Sequence, residues 1–77
     1  MTLPDDPFVF QLPSRERASR LDDLRLAWRE ACWDVRLAWL SWREAGPARA
    51  AAAFAAYVAA ADREAAAADR LAVALTP

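Results

Sequence analysis

Seventy-seven residues, 57% hydrophobic and 27% charged, carry ten Arg, no Lys, no His and a formal net charge of −1. A chain of this size is one small domain whose own core yields only a few kcal/mol of net stability. The charge excludes the long-range basic field of a nucleic-acid-binding surface, and a lone cysteine, Cys32, excludes an internal disulfide and fits a reducing cytoplasm.

Residues 1–13, MTLPDDPFVFQLP, hold three of the five prolines. Proline fixes φ and biases its predecessor away from helix, so an extended arm is expected there. Phe8, Phe10 and Leu12 alternate, which in an extended chain turns them to one side. Such a segment has to lie on an apolar surface: its own hairpin, a second protomer or another protein. No basic start followed by an apolar run marks a secretory signal.

Ser14 reads as an N-cap, with Glu16 in the first turn, where the helix dipole favours an acid. From Arg15 to Ala45 nothing breaks a helix. Gly46-Pro47 is the strongest stop in the chain: Gly suits a left-handed C′ position, and Pro suits the first turn of a new helix. The second helix is expected from about Ala48 to Leu75, built mostly of Ala, the best helix former. Helices of similar length joined by so short a link imply an antiparallel hairpin. The expected fold is therefore all-α, an antiparallel two-helix hairpin with helices about 15–45 and 48–75. The arm occupies 1–13 and the hairpin 14–77, and the whole is expected to assemble into a four-helix bundle dimer or larger. The longest uncharged stretch within the helices, Ala50–Ala61, falls short of the roughly twenty residues of a membrane span. Twenty-one alanines, with Ile and Asn absent, point to a GC-rich bacterial coding sequence. The expected setting is the bacterial cytoplasm.

All four tryptophans fall between Trp28 and Trp42. Leu21, Leu24, Trp28, Ala31, Val35, Ala38, Trp42 and Ala45 follow a strict alternation of three and four residues, the spacing of a coiled-coil seam. The motif WREA occurs twice, two heptads apart, which sets Trp28 and Trp42 on one line, with Trp39 close beside it. On the second helix Phe54, Tyr57, Val58, Ala61, Ala65, Ala68, Leu71, Ala72 and Leu75 form a broad apolar face. The expected core seam joins the first set to Phe54, Tyr57 and Leu71, with indole bulk filling the space that alanines leave.

Trp33 points away from that seam, in line with Leu26 and Leu40 and beside Leu37. Arg29, Arg36 and Arg43 border this second stripe on one side, and Asp23, Glu30 and Glu44 on the other. A helix that is apolar on two faces is usually covered on both, and a hairpin supplies only one partner helix. Leu26, Trp33, Leu37 and Leu40, with Phe8 and Phe10 of the arm, are thus the candidate interface toward a second copy or another protein. The bland alternative is that Arg29 and Arg36 stack on an exposed Trp33.

Catalysis finds little support. Without His or Lys the usual general bases and Schiff-base nucleophiles are missing. Glu30 and Asp34 stand four residues apart, but helical di-metal sites add Glu-x-x-His pairs, so a solvated acidic face is the simpler reading. Cys32 sits beside the main seam and reads as a small buried hydrophobe. No cofactor or metal is expected. The layout is near in size to small paired-helix secreted proteins of the WxG type, yet Ala45-Gly46-Pro47 stands at the turn in place of Trp-x-Gly. Ala61 stands where their tail motif has an acid after Tyr57, so that likeness is not carried over. The expectation is a non-enzymatic interaction or oligomerisation module; the alternative is a small-molecule binder with a Trp-lined pocket.

Overall fold

The chain folds as an all-helical hairpin, α1 (Pro7–Glu44) followed by α2 (Ala50–Leu75). The structure is a computed structural model that describes residues 7–77, with side chains from Ser14 onward. At about 1.5 Å per residue α1 is roughly 57 Å long and α2 roughly 39 Å, within a rod of 74 × 17 × 12 Å.

α1 starts earlier than the sequence predicts. Residues 7–13, expected as the second half of an extended arm, are helical backbone; residues 1–6 and the side chains of Phe8, Phe10 and Leu12 lie outside the described residues. Pro7 suits a first turn, where its missing N–H has no helical acceptor in any case, and Phe8–Leu12 contain no breaker. Pro13 gives up one bond of the ladder without ending it. Ser14 and Glu16 lie inside α1, and the N-cap and first-turn roles read for them do not arise.

The reversal also differs in detail. Gly46 does not adopt a positive φ, so no left-handed cap closes α1. A short Ala45 N–H to Trp42 C=O bond of 3.2 Å tightens the last turn instead. Pro47 then prevents continuation, since its ring would collide with the Arg43 carbonyl. Arg49 N–H closes a four-residue turn on Gly46 C=O at 2.9 Å, with Pro47 second in the turn, where its fixed φ is favoured. α2 begins at Ala50, two residues later than expected. At the far end Thr76 folds back, its backbone N–H donating to Val73 C=O and its hydroxyl to Ala72 C=O.

α1 meets α2 along the predicted line. Leu21, Leu24, Ala31, Val35, Ala38, Trp42 and Ala45 are half-buried, while Trp28 on the same line stays 37% exposed. On α2 the inward register differs by one position from the expected face: Ala50, Ala53, Tyr57, Ala60, Glu64, Ala67, Leu71 and Ala74. Of the predicted α2 seam residues, Tyr57 and Leu71 lie on this line and Phe54 lies beside it, 44% exposed. The sequence reading followed the large apolar side chains, whereas the packing follows the alanines, which let α2 approach an α1 surface that already carries indole bulk. Among the described residues only Ala60 and Ala67 are buried, at 2% and 4% exposure. Among these residues no side chain larger than a methyl group is fully buried.

Candidate interaction surface

The seam holds two aromatic anchor points. Near the turn, Trp42 packs on Phe54 (ring centroids 4.9 Å apart) and stacks on Tyr57 (5.6 Å, 25° between planes). Such pairs add about 0.5–1.5 kcal/mol each beyond area burial. Farther along, Trp28 Nε1–H donates to Glu64 Oε2 at 2.9 Å. Glu64 occupies a seam position with alanines a turn away on either side, and this bond gives its carboxylate a partner across the hairpin. Sequence reasoning missed the contact because it placed Glu64 off the apolar face. The signal was there: Ala53, Tyr57, Ala60, Glu64, Ala67, Leu71 and Ala74 repeat the three-four spacing of α1.

Two flanks separate the helices' free surfaces. On one, Ala27, Glu30, Ala31 and Asp34 share a shallow groove of about 310 Å³ with Arg63, Ala66, Ala67 and Arg70. Glu30 and Asp34 therefore look toward arginines of α2. On the other flank a groove of about 350 Å³ is lined by Arg29, Cys32, Trp33, Val35, Arg36 and Trp39, with Tyr57 of α2. Here the Arg43 guanidinium lies 4.7 Å from the centre of the Trp39 ring, a cation–π contact.

The second stripe read from the sequence stands in the open. Leu26, Trp33, Leu37 and Leu40 are all exposed, Trp33 by 60%. The tryptophans thus divide into two kinds of place: Trp28 and Trp42 on the seam, Trp33 and Trp39 on the outer groove. Trp33 and Trp39 share their groove with Tyr57 of α2. Cys32 is a half-buried free thiol on that same flank.

A further apolar line emerges once the α2 register is known. Ala51, Phe54, Val58, Ala61, Ala65, Ala68, Ala72 and Leu75 repeat the three-four spacing one residue along from the seam, without a charge. Counting about 100° per residue, this line looks to the flank away from Arg63 and Arg70, the flank of the Trp33–Trp39 groove. Ala61 and Ala68 are half-buried and the rest exposed. Asp62 and Asp69 edge it on its outer side.

Among the described residues no group of three or more His, Cys, Asp or Glu side chains is placed to hold a metal ion, and no helix is long and apolar enough to cross a membrane. Compared with known protein families, with curated proteins and with solved structures, the chain matches none. The class it defines is the antiparallel helical hairpin with apolar surface on two sides.

Proposed function

We propose that this chain is a non-enzymatic interaction module that self-associates, most simply as a dimeric four-helix bundle, in a bacterial cytoplasm. One observation carries the reading: the isolated hairpin has almost no core. Among the described residues ten large apolar side chains are exposed against two buried alanines. The accessible surface is 6295 Å², whereas a compact monomer of 8.5 kDa exposes roughly 4,650 Å². A two-helix rod thus carries more surface than a compact monomer, and a second copy laid along it is the simplest way to cover it.

Self-association ties folding to concentration, because a partner that binds only the folded hairpin stabilises it by mass action. Thermal melting followed by circular dichroism should therefore show a midpoint that rises by several degrees between 1 and 100 µM chain. A midpoint independent of concentration, with full helicity at the lowest, contradicts the reading.

A further inference from the structure

We infer that the charge-free line of α2 is covered by α1 of a second copy, the two hairpins being related by a two-fold axis parallel to their long axis. The inference rests on the self-association proposed above and specifies its contact. A long-axis two-fold sets α2 of one copy on the open flank of α1 of the other, and each contact occurs twice. Because that rotation does not shift chains along the axis, α2 of the second copy stands at the same height beside α1 as the chain's own α2 does.

The existing contacts fix that height. Trp28 is level with Glu64, and Trp42 with Phe54 and Tyr57. By the mean of these staggers, Arg29 stands within about one turn of the height of Asp69 of the second copy, and Arg36 within about one turn of Asp62 of the second copy, a gap that an Arg side chain spans. Both pairs repeat at seven residues, and both lie on the outer edge of the proposed contact. Among the described residues none of these four side chains has an ion-pair partner, whereas Arg25 pairs with Asp22. Inward of them, Trp39 and Cys32 meet the line of Val58, Ala61 and Ala65, indole against small side chains as in the seam itself. The charge match and the excess area together point to a second copy rather than an unrelated helix.

Charge exchange tests the pairing. R29D/R36D makes both edges acidic, and D62R/D69R makes both basic. Each variant alone should dimerise at least about tenfold more weakly than the parent at low salt, since like charges then face each other. Mixed one to one they should form a heterodimer near parental affinity in sedimentation velocity, and the single chain R29D/R36D/D62R/D69R should recover the homodimer. A variant that loses helicity alone but regains it on mixing supports the same contact. If both double variants dimerise as the parent does, or if mixing and the fourfold exchange fail to restore association, this pairing is wrong while self-association stands. If the parent itself is a stable helical monomer at 100 µM, both the pairing and the self-association it rests on are overturned.

Discussion

Trp28 and Glu64 show how one polar contact can sit in an otherwise apolar seam. Their 2.9 Å hydrogen bond joins the helices near mid-length, and hydrogen bonds to carboxylates are worth about 1.5–3 kcal/mol when their partners are drawn from water. Both groups here are half-exposed, so the lower end applies. Its larger effect is on register, because sliding α2 by one turn would leave the carboxylate against alanine. Trp28→Phe removes the donor and should destabilise the hairpin by about 1–2 kcal/mol. Adding Glu64→Leu should recover most of that loss while weakening the preference for one register. Urea denaturation of the two single variants and the double variant checks it; additive losses would show that the bond carries no coupling. Individual residues were legible in the sequence where bulk and spacing agreed, as at Trp42 and Val35. Glu64 was not, because an acid among alanines gives no sign of an indole N–H waiting on another helix.

At the level of elements, the two helices and the break between them could be read directly from Ala content, three-four spacing and Gly46-Pro47. The mechanism of the break could not. Gly46 supplies no left-handed residue, and a Cβ built on it meets nothing within 4 Å. Proline therefore carries the stop. Gly46→Ala should leave the fold intact and shift stability by no more than about 1 kcal/mol, toward stabilisation, since it narrows the unfolded ensemble. Pro47→Ala should instead let helix propagate through the link and open the hairpin into one long helix. Small-angle scattering separates the outcomes: parental dimensions for Gly46→Ala, and a longer rod for Pro47→Ala. Unchanged dimensions for both would mean that the Trp42–Phe54–Tyr57 cluster holds the reversal on its own. The start of α1 was misread for a related reason. Pro7 and Pro13 look like breakers in a list of residues, yet the first is tolerated at a helix start and the second costs a single ladder bond.

For the whole molecule, the balance of surface decides. Two antiparallel helices hide one side of each, and here, among the described residues, that contact fully buries no side chain larger than Ala. What remains outside includes the Leu26, Trp33, Leu37 and Leu40 stripe of α1 and the charge-free line of α2. This apolar surface on a rod only 17 × 12 Å in section is what the proposed self-association would cover. On the self-association proposed above, the hairpin becomes a folded unit by pairing with itself. Sedimentation equilibrium on the native chain from 1 to 100 µM tests it most directly. Pairing gives a helical species of about 17 kDa, twice the 8.5 kDa of one chain, or a larger whole multiple, dissociating with loss of helix at the lowest concentrations. A fully helical, cooperatively unfolding 8.5 kDa monomer across that range would contradict it.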